Sequence, residues 1–325
     1  MTAKITVCMT TYNRAHFISQ ALDSLCDQGL PREEYVVAIS DNASDDGTRE
    51  VVANFANKLH IVYRRNSENI GRVANTRAAL SMCETPYLSW LNDDDLLAPG
   101  QLRRALTLFD SNPAAVLVAS LSIVQSYPGQ PGTYLHGTFL RANSKTSYAE
   151  PYTWDATEWL ALALVSTPLS LIGSVFKHDV FERIESWKKY HIWGDRLLLA
   201  EMVLHGRVLA LPWVGGYYRT GSHQLNNENP EINKREFAAV TAEILHICRE
   251  RSLPVEEFWV DQLLRSSREQ RLQFLKLLRV ALPTSVFKRI LQGSRSGTGN
   301  RFTPYIALQL YDLARRAQHE LFPSV

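Results

Sequence analysis

The sequence predicts an α/β protein: a mostly parallel sheet with helices on both faces. Two observations carry this. Over the first 125 residues, short apolar runs alternate with stretches whose apolar residues recur at helical spacing. The polar segments between them also fall in a repeating place. Residues 10–14, 41–47, 66–71 and 92–95 each follow an apolar run directly. Open parallel sheets bind ligands beyond the carboxyl ends of their strands. Four polar loops are therefore expected on one rim of the sheet.

The elements follow in order. Ile5–Met9 is a short buried strand, and Phe17, Ile18, Ala21, Leu22 and Leu25 mark the helix after it. Tyr35–Ile39 is a second strand, followed by the Asp-, Asn- and Ser-rich loop 41–47 and a helix to about Asn57. A strand is expected at Leu59–Tyr63, a helix after Gly71 to about Cys83, and a strand at Tyr87–Leu91. Pro99 suits the first turn of a further helix, and Ala115–Val124 closes the block as a strand. Residues 126–170 read as loops and short strands that shape a pocket. Leu169–Phe176 and Val208–Leu211 read as strands, and Arg196–His205 as a helix with Asp195 at its start. From Glu231 onward the pattern is helical.

Composition excludes several classes. The chain has 325 residues, 45% hydrophobic and 21% charged, with a net charge of +2. That balance suits a globular core and points to no nucleic-acid partner. Between Arg265 and Arg316, however, 11 Lys and Arg face only Glu269 and Asp312. Cys8, Cys26, Cys83 and Cys248 form no Cys-x-x-Cys pair and read as reduced core residues. No basic-then-apolar leader and no run of membrane-spanning length appears, so a cytoplasmic location is expected. The absence of a Gly-x-Gly-x-x-Gly fingerprint argues against a dinucleotide oxidoreductase.

Asp93, Asp94 and Asp95 follow the fourth strand. Adjacent carboxylates repel one another unless a cation joins them, and Mg²⁺ and Mn²⁺ prefer oxygen ligands. A solvated acidic loop is the alternative for this stretch.

Five segments then carry a resemblance. Thr10-Thr11-Tyr12-Asn13-Arg14, Ser40 to Thr48, Glu68-Asn69-Ile70-Gly71 with Asn75, Leu91-Asn92-Asp93-Asp94-Asp95 and Gly194-Asp195-Arg196 stand in order over residues 4–225. Together they resemble the signatures of family 2 glycosyltransferases. The Asn-Asp-Asp-Asp-Leu-Leu variant is most like bacterial transferases of O-antigen and capsule sugars.

The resemblance implies a GT-A fold: a catalytic domain over 1–228 (nucleotide half 1–125, acceptor half 126–228) and a helical segment over 229–325. It implies an inverting, metal-assisted transfer of one sugar from a nucleotide-sugar donor to a hydroxyl of a glycan or lipid-linked acceptor. Asp94 is the first choice for a Mn²⁺ or Mg²⁺ ligand, with Asp93, Asp95 and His223 around it. Thr11, Tyr12, Arg14, Asp41, Asn69, Gly71, Arg72 and Asp93 would line the nucleotide. Asp41, facing a base imide N–H, favours UDP or dTDP over GDP. Arg14 has the alternative of opening the helix at the surface. Asp195 is the expected general base, with capping of its own helix as the bland reading. Arg77 either faces the diphosphate or is solvated. Trp154, Trp159 and Trp193 form either a sugar wall or core.

Two residues depart from the family pattern: Asn92 and Gly194, where acidic residues are common. They are the support for an inactive sugar-binding scaffold. A sugar nucleotidyltransferase is the other rival, but it wants a Gly-rich basic loop that residues 10–14 lack. Residues 268–291 mix leucines with Lys and Arg, as a helix lying on an anionic membrane does, or a cap with a wet basic face.

Overall fold

The structure is a computed structural model describing residues 2–125, 133–134, 152–165, 170–219, 230–265, 275, 278–279 and 281–293. The chain forms two compact units. One comprises residues 1–154 and 169–230, the other residues 155–168 and 231–325.

The first unit is built on one sheet. Strands β1 (Ile5–Thr11), β2 (Tyr35–Asp41), β3 (Ile61–Arg65) and β4 (Tyr87–Asn92) lie parallel in the order β3-β2-β1-β4. The sheet continues through β9 (Ser170–Lys177), β6 (Ala115–Gln125) and β10 (Arg207–Arg219) to β5 (Leu96–Leu97). β9 runs antiparallel to both β4 and β6, while β10 is parallel to β6. The short strands β7 (Thr133–Tyr134) and β8 (Tyr152–Trp154) pair with β6 and β10.

Side-chain alternation along β1 sorts the two faces. Ile5, Val7 and Met9 join a core with Leu22 and Leu25 of α1 (Ala15–Leu25) and Leu102 and Phe109 of α4 (Gln101–Ser111). On the opposite face, Thr6 Oγ1 meets Thr85 Oγ1 at 2.8 Å, beyond α3 (Arg72–Leu80). α3 packs on β1 and β2. The Asn75 amide joins it to β2, accepting from Ser40 Oγ at 2.7 Å and donating to Ser40 O at 3.0 Å. With β1–β4 parallel, all four polar loops leave the same rim.

Several expectations are corrected. The third strand starts at Ile61 rather than Leu59, because Leu59 closes the preceding turn through its N–H to Phe55 O at 2.9 Å. The helix before it, α2, is short (Thr48–Ala53). Pro99 does not enter α4, which begins at Gln101 because Gly100 is left-handed at φ 68° and donates to Asp27 O. Residues 126–170 include a helix, α5 (Ala156–Ala163), which opens on Asp155 Oδ1 accepting from Thr157 N and Glu158 N. Cys26 is exposed at the end of α1, whereas Cys8, Cys83 and Cys248 are buried, and all four are free.

The first unit also holds α6 (His178–Arg183) and α7 (Gly194–Met202). The second contains α5, α8 (Pro230–Glu250), α9 (Val255–Arg265) and α10 (Thr284–Gly293). Trp159 and Trp259 form its buried centre, and Trp259 Nε1 donates to Ala161 O at 3.1 Å. Of the basic stretch 268–291, residues 268–274, 276–277 and 280 lie outside the described residues. Among the described residues, no helix is long and apolar enough to cross a membrane.

Candidate active site

Hydrogen bonds knit the loops leaving β1, β2, β3 and β4. Asn13, left-handed at φ 52°, accepts from Asp45 N at 2.9 Å through Oδ1 while its own N–H donates to Ser44 Oγ at 2.8 Å. Asp46 Oδ2 accepts from Ala15 N at 2.9 Å, at the start of α1. Asn42 links the second loop to the third: Nδ2 donates to Asn69 Oδ1 at 2.6 Å, and Oδ1 accepts from Ile70 N at 2.9 Å. Gly71, at φ 81° and ψ 157°, occupies backbone space that side chains avoid, and a Cβ there would meet nothing within 4 Å. The backbone is thus open to a ligand at this turn.

Asp41 ends β2 and is fully buried. Its Oδ1 accepts from Ser44 N at 2.8 Å, and Oδ2 accepts from the Tyr63 hydroxyl on β3. Burial, followed by the bond to this carboxylate, raises the Tyr63 phenol well above its usual range. Tyr12 projects from the first loop, 44% exposed, as a free aromatic face. Thr11 is buried beside Asp93.

The first loop meets the fourth at Arg14. Its Nη1 lies 2.7 Å from Asp94 Oδ2 and 3.3 Å from Asp93 Oδ1. Arg14 also stands at the N-cap of α1, with no side-chain capping bond. Burial pushes the Asp93 carboxyl up to about 7, with Arg14 opposing and Asp94 adding. Two carboxylates gathered on a single cationic nitrogen form an oxygen donor set that fits a divalent cation. The Asp95 carboxylate turns away from this pair. It is buried, accepting from Arg219 N at 3.1 Å and Asn92 Nδ2 at 2.9 Å. Burial and the neighbouring Asp94 raise its pKa well above the ordinary value.

Arg219, at the end of β10, is the residue sequence reasoning missed here. Its Nε donates to Asp94 O, its Nη1 donates to Gln20 Oε1 at 2.8 Å, and its guanidinium stands 5.2 Å from the Phe17 ring centre. Its one local signal is its position beyond the apolar run Val208–Leu211, in a strand that continues to Arg219.

Next to the acidic loop lies a cleft. Arg72, Val73 and Thr76 of α3 form one wall, and Trp90 and Asn92 of β4 form its floor. Trp187, Tyr190, His191 and Asp195 complete it. The Trp90 and Trp187 ring centres are 5.6 Å apart, tilted by 50°. Asp195 sits within the first turn of α7, one residue after its start, so it is not the N-cap; Trp193 is. Its Oδ1 accepts from Arg196 N at 2.8 Å. Burial raises its pKa, while the nearby Arg72 and Arg196 pull the other way. Gly194 admits no side chain: a Cβ there would stand 2.6 Å from Trp187 O.

Other expected residues fall elsewhere. Arg77 turns from the acidic loop, and its Nη2 donates to Lys188 O at 2.6 Å. Trp154 is buried in β8 and Trp159 in the core of the second unit, so Trp90 and Trp187 supply the aromatic lining instead. His223 lies outside the described residues.

The profile described as "Glycosyl transferase family 2" matches residues 6–168. Over 109 residues the chain is 37% identical to abequosyltransferase RfbV of Salmonella typhimurium, covering 33% of each chain. Over 119 residues it is 29% identical to the poly(ribitol-phosphate) β-N-acetylglucosaminyltransferase TarS of Staphylococcus aureus, covering 36% of this chain and 21% of that protein. The matched stretches therefore span a third or less of these relatives. Among solved structures, TarS 1–349 in complex with UDP-GlcNAc superposes with a TM-score of 0.63 at 17% identity, over 98% of this chain and 91% of that one. The mannosyltransferase PcManGT of Pyrobaculum calidifontis, in complex with GDP-Man and Mn²⁺, gives 0.56 at 15% identity, over 100% and 89%. At these identities the structural likeness establishes the fold.

Proposed function

This chain belongs to glycosyl transferase family 2, and from that premise we propose that it moves one sugar from a nucleotide-sugar donor to an acceptor hydroxyl, with inversion, in building a bacterial surface polysaccharide. The observation that carries this reading is the hydrogen-bonded cluster of strand-end loops whose first member meets the Asp93–Asp94 pair through Arg14, beside a cleft that holds Asp195.

The nucleotide lies over the first three loops, with Tyr12 stacking on the base and the buried Asp41 accepting from a pyrimidine imide N–H once the Tyr63 hydroxyl gives up its bond to that carboxylate. Asn69, Gly71 and Thr11 line its backbone. UDP and dTDP suit this pattern. The diphosphate runs toward Arg14 and Arg72. Asp94 and Asp93 hold Mn²⁺ or Mg²⁺, which supplies charge neutralisation for the leaving diphosphate. Asp95 acts from behind by keeping Arg219 and Asn92 in place.

The acceptor occupies the cleft against Trp90 and Trp187. Asp195 takes the proton of its hydroxyl as that oxygen bonds to the anomeric carbon and the bond from that carbon to the phosphate oxygen breaks. A single base opposite the leaving group gives inversion. Residues 1–228 are the catalytic part on this reading. Residues 229–325 follow it as a second segment, whose basic stretch 268–291 touches the cytoplasmic membrane face when the acceptor is lipid-linked.

Calorimetric titration of UDP, dTDP, GDP and CDP, each with and without Mn²⁺, on wild type and Asp94→Ala tests the donor half. Metal-dependent binding of one nucleotide, lost in Asp94→Ala, is the expected result. Binding of none under any condition refutes it.

A further inference from the structure

We infer that Tyr218, near the end of β10, is a specificity-determining contact to the sugar being transferred, its hydroxyl hydrogen-bonded to one hydroxyl of that sugar. The inference deepens the donor reading above and rests on it.

Strand geometry places the side chain. Successive residues of a strand point to opposite faces of the sheet. Arg219 goes to the α1 face, where it meets Gln20 and the Phe17 ring. Its neighbour Tyr218 therefore goes to the other face. That is also the face of the cleft. On β4, Leu91 points into the core shared with α1, while Trp90 and Asn92 line the cleft. Along β10, Tyr218 is held beside the acidic loop. Tyr217 before it pairs with Leu96, and Arg219 after it donates from its backbone N to Asp95 Oδ1 at 3.1 Å.

The ring packs against the core and is held there, but the residue is only partly buried. Among the described residues, none hydrogen-bonds the Tyr218 hydroxyl. Burial, then the carboxylates of Asp95, Asp94 and Asp195, push this phenol up to about 12. It therefore keeps its proton at working pH and stays a neutral donor. It also stands where the acidic loop and Asp195 both act on it. On the donor reading, the anomeric carbon must lie between those two places: the leaving diphosphate at the acidic loop and the attacking oxygen at Asp195. A side chain that feels both therefore borders the sugar ring. A sugar hydroxyl donates and accepts one bond at a time, as a phenol does, so the two match without a charge on either. Arg14 and Arg72 serve the charged diphosphate, and the phenol suits the neutral part of the donor. A polar group placed to meet a substrate hydroxyl discriminates against donors that lack it.

Tyr218→Phe removes one oxygen and keeps the ring that packs on the core. The test is calorimetric titration, with Mn²⁺ present, of UDP, dTDP, UDP-glucose, UDP-galactose, UDP-N-acetylglucosamine and dTDP-glucose into wild type and Tyr218→Phe. Circular dichroism melts confirm that the variant is folded. The tightest sugar nucleotide should weaken about five- to tenfold in the variant, the usual worth of one such bond, while its bare nucleoside diphosphate binds as before. Monodeoxy versions of that donor identify the hydroxyl. One of them should lose the same factor in wild type and nothing further in Tyr218→Phe. Equal weakening of sugar nucleotide and bare nucleotide means a purely structural role and overturns the inference. An unchanged sugar nucleotide overturns it too, as does a variant that loses equally on every deoxy donor. Wild type that binds no nucleotide refutes the donor reading and this inference with it. Wild type that binds nucleotide, beside a Tyr218→Phe protein indifferent to the sugar, refutes the contact alone.

Discussion

Replacing Asp195 by Asn separates proton abstraction from architecture. The two side chains have the same shape, and an Asn carbonyl oxygen can still accept from Arg196 N, as Asp195 Oδ1 does at 2.8 Å. α7 and the cleft wall should therefore survive. What is lost is basicity. A positioned general base contributes roughly 10²- to 10⁴-fold in rate, about 3 to 5 kcal/mol at 1.36 kcal/mol per decade. Burial raises the Asp195 pKa above its ordinary value, so wild-type kcat should climb with pH through that raised value, because only the carboxylate takes the proton. The variant should be slower by 10² or more and show no such acidic limb. The assay is acceptor-dependent release of nucleoside diphosphate across pH 4.5 to 8, with calorimetric donor affinity as the control. An Asp195→Asn enzyme within tenfold of wild type, with donor binding intact and the acidic limb retained, would refute the assignment.

Three further outcomes follow from particular contacts. Arg219→Ala loses charge-assisted bonds to Gln20 and Asp94 O and the contact with Phe17, and should cost about 3 kcal/mol, lowering Tm by roughly 6–12 °C in a scanning melt. Gly173→Ala places a Cβ 2.6 Å from Gly215 C and Ser120 Oγ on a backbone at φ 78°, and should lower unfolding free energy by about 3 kcal/mol in a denaturant titration. The Asp93 carboxyl, held at about 7, binds a proton in the folded chain at pH values where the unfolded chain has released it. Its contribution is present below the ordinary carboxylate pKa and is lost as pH rises through about 7. Melting curves from pH 4 to 8 without metal should show that decline in wild type and a flatter profile in Asp93→Asn.

What could be read from the chain alone was local and periodic. Apolar alternation located β1, β2 and β4 and the helices between them, because burial on a sheet face or a helix stripe writes its period into the residues that touch the core. The four polar loops were legible for the same reason, as interruptions of that period. Boundaries set by backbone geometry escaped it. Gly100 at φ 68° moved the start of α4 past Pro99, and a one-residue shift in α7 placed Asp195 inside the helix instead of at its cap. Only the tertiary structure decided which partners the charged and aromatic residues take. Arg14, Asp93 and Asp94 are 79 and 80 positions apart and meet because β1 and β4 are neighbours. Arg219 reaches Asp95 across 124 positions because β10 returns beside β5. Three consecutive aspartates look equivalent in a sequence. Packing turned Asp95 to serve Arg219 and left Asp93 and Asp94 facing Arg14, because the direction of a side chain depends on strand pairings that no local pattern encodes.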